Sequence, residues 1–179
     1  MKKLLAVAML VGMAAPLAAS ADDAVVKFEG GIGVIPVSRA AGTANADGSF
    51  PNVVRNDIFG TPPGGQPWVI RSLSAEVKNE GRTAQTRVSA NGRGLLLAGG
   101  TSIGYIAGPN AAGERVQNVR ARLFCDGVAH DSGLVALDQD GDFRIEDTLT
   151  PAVTGPCNNA VLLIVNAGGA WFAAGIPRH

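Results

Sequence analysis

The chain has 179 residues, with 15 basic and 15 acidic side chains, and it carries no formal net charge at neutral pH. No segment is strongly basic, so the sequence offers no electrostatic footprint for nucleic acid or for an anionic membrane surface. The composition therefore argues against nucleic acid and against an anionic membrane surface as partners.

The first 21 residues have the three parts of a secretory signal peptide. Lys2 and Lys3 form a basic head, Leu4–Leu17 is apolar, and Ala19-Ser20-Ala21 has the small-x-small pattern that signal peptidase reads. The apolar stretch is too short to span a bilayer as a stable helix. We therefore expect cleavage before Asp22, which removes 21 of the 179 residues and leaves a mature chain of 158, either periplasmic or secreted.

The mature chain shows short alternating runs separated by turn residues, a pattern typical of antiparallel β structure. Clear alternation occurs at Leu73–Lys78, Val119–Cys125 and Phe143–Glu146. Ala160–Val165 is apolar on both parities, which predicts a central strand covered on both faces. Further strands are expected at Val25–Glu29, Gly33–Val37, Asn52–Phe59, Trp68–Arg71, Thr83–Ala90, Gly94–Leu97, Leu134–Leu137 and Ala170–Ala174.

This pattern predicts one all-β domain over residues 22–179, a single-domain antiparallel β-sandwich of the immunoglobulin-like or a related kind. A barrel is the alternative, and the irregular spacing of the runs favours the sandwich. Asn91-Gly92 is expected to form a hairpin turn, because both residues tolerate a positive φ. Val161–Ile176 is shorter than the ~20 residues of a spanning helix, so no transmembrane span is expected in the mature chain.

Two long loop regions, Ser38–Pro67 and Ala98–Gly113, are rich in small residues. They are either plain surface connections or loops that a sandwich brings together into one binding surface. We expect exposed rings and polar side chains there to contact a protein or glycan partner. The candidate ligand-binding residues are Trp68, Tyr105, Arg39 and Arg55.

Cys125 and Cys157 are the two cysteines of the chain. Cys125 falls on the apolar parity of its strand, and Cys157 lies just before the central strand, so both side chains should point inward. A redox or metal-binding pair would need the C-x-x-C spacing or partner histidines. We therefore predict a structural disulfide, formed outside the cytoplasm and stabilising the fold by roughly 2–4 kcal/mol.

His130-Asp131-Ser132 contains the three residue types of a hydrolytic triad. Adjacent residues of an extended segment point to different faces, so they cannot relay a proton among themselves. We expect His130 to be an exposed loop residue and predict no catalytic residue in the chain.

Asp138, Asp140 and Asp142 alternate along one loop and are the candidate metal ligands, since alternate carboxylates suit calcium. The EF-hand pattern is not met, because its sixth position would be Phe143 and its twelfth Leu149. The simpler interpretation is a hairpin turn at Asp140-Gly141 flanked by solvated acids. We expect no cofactor, with calcium as the alternative.

The leading functional hypothesis is a secreted or periplasmic, non-catalytic structural or binding module stabilised by one disulfide. The first alternative is a small secreted hydrolase that uses His130 and a carboxylate from another segment. The second alternative is a calcium-dependent adhesion module that uses the acidic loop.

Overall fold

The computed structural model describes residues 24–35, 37–38, 53–54, 57–81 and 84–178. The predicted signal peptide, Arg39 and Arg55 lie outside the described residues. The strands are β1 (Ala24–Gly33), β2 (Val37–Ser38), β3 (Val53–Val54), β4 (Trp68–Val69), β5 (Ser72–Glu80), β6 (Gln85–Arg93), β7 (Leu96–Leu97), β8 (Asn118–Cys125), β9 (Val128–Asp131), β10 (Val135–Ala136), β11 (Phe143–Leu149), β12 (Ala160–Asn166) and β13 (Trp171–Pro177). Within these ranges no helix has the length and apolar character needed to cross a membrane.

The main sheet is antiparallel and nearly closes on itself. Its strands follow the order β10-β8-β12-β13-β1-β5-β6-β11, and β9 also pairs with β8. The two ends of this order meet where Asp131, at the end of β9, and Thr150, just after β11, exchange two backbone hydrogen bonds of 2.9 Å. The all-β antiparallel prediction is confirmed, and both the sandwich and the barrel remain apt descriptions of this sheet. The single-domain organisation stays a prediction.

Side chains complete the closing edge between β9 and β10. Ser132 N donates to Ala121 O at 2.9 Å, and the Ser132 hydroxyl accepts from Ala121 N at 3.0 Å. Gly133 N donates to Asp147 Oδ2 on β11 at 2.6 Å. Because these groups take the place of ladder partners, the backbone N–H groups of Ala121, Ser132 and Gly133 are satisfied.

The alternating runs form strands with the predicted inward parity. Val119, Ala121, Leu123 and Cys125 of β8 are buried, and Leu162–Val165 of β12 are buried at every position. The central-strand prediction is therefore confirmed. The opposite face of β8 is covered by the segment that follows Ile58, where the rings of Phe59 and Phe124 lie 4.9 Å apart between centroids.

Two local predictions are wrong. Asn91 and Gly92 lie inside β6, facing Arg144 and Phe143 of β11, and do not form a hairpin turn. A Cβ on Gly92 would lie 2.1 Å from Cε1 of Phe143, so this glycine leaves room for a ring rather than supplying a positive φ. His130 lies in β9, a strand that the sequence pattern did not predict.

Candidate functional site

Cys125 and Cys157 form the predicted disulfide, with an S–S distance of 2.05 Å and a Cα–Cα distance of 5.0 Å. Cys125 ends β8, and it pairs across the sheet with Ala160 at the start of β12. The bond therefore ties the segment that leads into β12 to the end of the neighbouring strand. A disulfide in an all-β fold is compatible with an extracellular module.

His130 is 5% exposed, so the expectation of an exposed loop residue is wrong. Its ring Nδ1 lies 2.7 Å from the carbonyl oxygen of Pro151. A carbonyl oxygen only accepts hydrogen bonds, so Nδ1 carries the proton in this contact. The imidazole thus links β9 to the segment that follows β11, which is a structural contact.

Asp131 and Ser132 are each engaged away from the imidazole of His130. Arg122 donates two hydrogen bonds of 2.7 Å to the Asp131 carboxylate, one from Nε and one from Nη2. The hydrogen bonds to Asp131 raise the pKa of Arg122, while partial burial acts in the opposite direction. The Ser132 hydroxyl donates to Gly133 O at 2.9 Å. These contacts place the acid and the hydroxyl in structural roles at the sheet edge.

The acidic loop is held by its own carboxylates. Asp138 Oδ1 accepts from the backbone N–H groups of Asp140 and Asp142, at 3.0 and 2.8 Å. Asp142 Oδ1 accepts from Gly94 N at 2.9 Å. No cluster of three or more potential metal ligands occurs among the residues that the structure describes. Calcium binding at this loop stays a prediction.

Trp68 is 4% exposed, so the expectation of an exposed ring is also wrong. Its indole stacks on Phe172 of β13, with 3.9 Å between ring centroids and 13° between planes. Trp68 N donates to Val34 O at 2.7 Å, which fixes the backbone of β4 against the end of β1. The residues around Trp68 in the sequence do not predict that its ring is buried, because the ring that covers it, Phe172, lies far away in the chain.

The stacked rings of Trp68 and Phe172 line a surface cleft of about 310 Å³, which we call the Trp68 cleft. Both loop regions identified in the sequence reach it, one through Gly64–Gln66 and the other through Ala107 and Gly108. None of the described residues that line the cleft is charged. Its polar lining includes three amide side chains, those of Gln66, Gln117 and Asn166.

Hydrogen-bonding capacity remains in the Trp68 cleft. Asn166 Oδ1 accepts from Ala170 N at 2.8 Å, which leaves its Nδ2 as a donor. Gln117 Nε2 donates to Asn118 O at 3.1 Å, which leaves its Oε1 as an acceptor. A Cβ on Gly64 would lie 3.0 Å from Trp68 Nε1, so the indole N–H borders the cleft wall that Gly64 forms. Within the described ranges this N–H has no acceptor.

Tyr105 lies on the loop that supplies Ala107 and Gly108, and it is 48% exposed. The guanidinium of Arg115 lies 3.8 Å from the centroid of its ring, a cation–π contact. Arg115 Nη1 also donates to Ala107 O at 2.6 Å. Tyr105 is therefore half-exposed, two residues before Ala107 of the Trp68 cleft, on a loop that Arg115 holds in place.

Sequence reasoning missed Phe172 and the three amides as residues of a site. Gln66, Gln117 and Asn166 come from separate segments, and only the folded sheet brings them together. No protein-family model, curated protein or solved structure matches this chain.

Proposed function

We propose that the protein is an exported, non-catalytic β module that binds an uncharged extended peptide segment of a partner protein at the Trp68 cleft. The observation that supports this proposal is the convergence of both long loops on an uncharged cleft, whose indole N–H finds no acceptor in the part of the chain that the structure describes. A donor of this kind in a nearly buried ring favours a ligand that brings a carbonyl group.

The cleft chemistry favours a peptide over a glycan. Sugar rings bind well when an aromatic face is open, but Trp68 and Phe172 cover each other at 3.9 Å. The donors on Trp68 and Asn166, together with the acceptor on Gln117, match the alternating N–H and C=O groups of a peptide backbone. The loop beside the cleft also presents Tyr105, whose exposed ring is typical of a residue that anchors a partner.

Export is supported by the signal-like first 21 residues and by the disulfide. N-terminal sequencing of the protein recovered from outside the cytoplasm should start at Asp22. Recovery of the chain in a membrane fraction with its first residues still attached contradicts this part of the proposal.

The absence of catalysis is proposed because His130, Asp131 and Ser132 have separate structural partners. The purified protein should hydrolyse generic esters no faster than buffer does. Hydrolysis that is lost in His130→Ala, with an unchanged fold, supports the hydrolase alternative instead.

Peptide binding is tested by selecting a displayed library of random peptides on the purified protein. Trp68→Phe keeps an aromatic ring against Phe172 but removes the N–H together with one ring of the indole, so it should weaken the selected peptides at least tenfold, the effect of one lost hydrogen bond. The melting temperature of this variant is measured alongside, because the lost ring atoms also reduce packing. Ile103→Ala, an exposed change on the loop that carries Tyr105, is the matched control and should leave affinity unchanged.

Tyr105→Ala should also weaken peptide binding while leaving the melting temperature within about a degree, as exposed substitutions usually do. Selected peptides that bind Trp68→Phe as well as the unaltered protein contradict the proposed contact. Binding of neutral oligosaccharides, with no peptide enriched, makes the partner a glycan and overturns the peptide proposal.

A further inference from the structure

A second cavity, of about 850 Å³, lies where β5 begins, β6 ends and β11 begins. The cross-strand register places Ser72 opposite Arg93, and it places both Ser74 and Arg144 opposite Asn91. These side chains alternate with buried neighbours, so they share the outer face of the sheet. Arg71 N donates to Arg93 O at 2.9 Å, which brings the two arginines side by side.

Arg71 and Arg93 differ from most other cations of the described part of the chain. Neither guanidinium has a carboxylate partner among the described residues. Most other described cations have one: the ion pairs are Lys27–Glu76, Lys78–Glu76, Arg87–Glu80, Arg120–Asp131, Arg122–Asp131, Arg144–Glu146 and Arg178–Glu29. Two guanidinium groups that line one cavity without an ion-pair partner raise the positive potential beside them.

The carboxylates that border the cavity are engaged elsewhere. Glu29 pairs with Arg178 at 3.0 Å. Asp138 Oδ1 accepts two backbone N–H groups of its own loop. Asp142 Oδ1 accepts from Gly94 N. Asp138 and Asp142 thus hold the acidic loop, and all three acids reduce the net charge of the cavity. Neither Arg71 nor Arg93 is within ion-pair distance of these three carboxylates.

We infer that Arg71 and Arg93 form a binding site for an oxyanion, that is, a carboxylate, phosphate or sulfate group of a ligand. A guanidinium presents a planar fork of N–H donors that matches the paired oxygens of such groups. The hydroxyls of Ser72 and Ser74 and the amide of Asn91 line the same cavity and provide further donors. This site is separate from the Trp68 cleft, because the two share no lining residue.

The inference is tested by titrating isotope-labelled protein with sodium phosphate, sodium sulfate or sodium malonate at constant ionic strength. Backbone amide resonances of Arg71–Ser74 and Asn91–Gly94 should shift and saturate with at least one of these anions. Malonate carries planar carboxylates, whereas phosphate and sulfate are tetrahedral, so the better binder identifies the kind of group that the site takes.

Arg71→Gln and Arg93→Gln should each weaken binding about tenfold, and the double variant should abolish saturation. Arg87→Gln is the matched control, since Arg87 lies on β6 but pairs with Glu80 and does not line the cavity. Because both arginines are exposed, the variants should keep their melting temperatures. Shifts that stay linear with every anion, or that persist in the double variant, overturn the inference.

Discussion

Two glycines of the described chain, Gly33 and Gly92, lie where another group approaches the backbone closely. Asn91-Gly92 has the composition of a tight hairpin turn, yet Gly92 lies in mid-strand with the Phe143 ring against its Cα. A glycine is needed both where φ is positive and where another group approaches closely, and the sequence does not distinguish the two needs. The same ambiguity applies to Gly33, whose Cβ would lie 2.1 Å from Trp68 O.

Gly92→Ala should destabilise the fold by about 1–3 kcal/mol, because the added methyl group would collide with the Phe143 ring. Urea unfolding measures the loss. The loss should shrink when Phe143→Leu is present, since the two sites are in contact and their effects are not additive.

Gly108→Ala is the control for this comparison, because the nearest atom to its added Cβ would be Ser102 Oγ at 3.7 Å. If Gly108→Ala and Gly92→Ala lower the free energy of unfolding equally, the loss comes from replacing any glycine, and the contact with the Phe143 ring is not its cause.

At the scale of the strands, local periodicity was enough where each strand has one buried face, as in β5 and β11. It failed for β9, because a four-residue strand is too short to show a period. The apolar run of β12 predicted burial on both faces. In the structure Leu162–Val165 are buried at every position, and the segments that cover them are distant in sequence. The pairing of Cys125 with Cys157 was predictable because the chain has no other cysteine.

Removing the disulfide with Cys125→Ser and Cys157→Ser together should lower the free energy of unfolding by about 2–4 kcal/mol, since the bond limits the unfolded chain. Urea unfolding of the double variant, and of the unaltered protein in reductant, should give similar losses. Titratable thiols in freshly exported protein contradict a disulfide that forms with the fold.

The pairing of β1 with β5 should give the molecule an acid-sensitive contribution to stability. Lys27 and Lys78 each lie 2.8 Å from the Glu76 carboxylate, and the hydrogen bonds from Lys27 and then Lys78 hold the pKa of Glu76 below its ordinary value, against the effect of burial. A carboxylate with a lowered folded pKa stabilises the fold above its ordinary pKa, and this contribution is lost as the pH falls through the lowered value.

Glu76→Gln should therefore lower the melting temperature slightly at neutral pH, and the difference should vanish in acid. Melting temperatures across a pH series measure this convergence. Glu114→Gln is the control, since Glu114 has no ion pair among the described residues and accepts from Asn110. Curves for Glu76→Gln and the unaltered protein that stay parallel into acid contradict the assignment.

At the scale of the whole molecule, the sequence predicted the class of fold but not its closure or its cleft. Closure depends on Asp131 meeting Thr150 and on Asp147 meeting Gly133, and none of these contacts is visible in a local pattern. Residues 60–67 and 98–113 lie outside the named strands, as the loop prediction required, whereas most of residues 38–59 lies outside the described part of the chain. Which of their side chains are exposed could not be predicted, because the burial of Trp68 depends on Phe172 of β13.

Calcium separates the remaining functional alternatives through the stability of the whole protein. Adding calcium to chelator-treated protein should leave the melting temperature unchanged, because Asp138 and Asp142 already use carboxylate oxygens to hold backbone N–H groups of the loop and of Gly94. A ligand that binds only the folded state must raise the melting temperature, so a saturable rise would show a bound ion.

If Asp140→Ala removes that rise, the acidic loop is a calcium site and the adhesion alternative replaces the calcium-independent module. Glu114→Gln, a neutralised acid outside this loop, should leave any such rise in place and so separates a loop site from a general loss of negative charge.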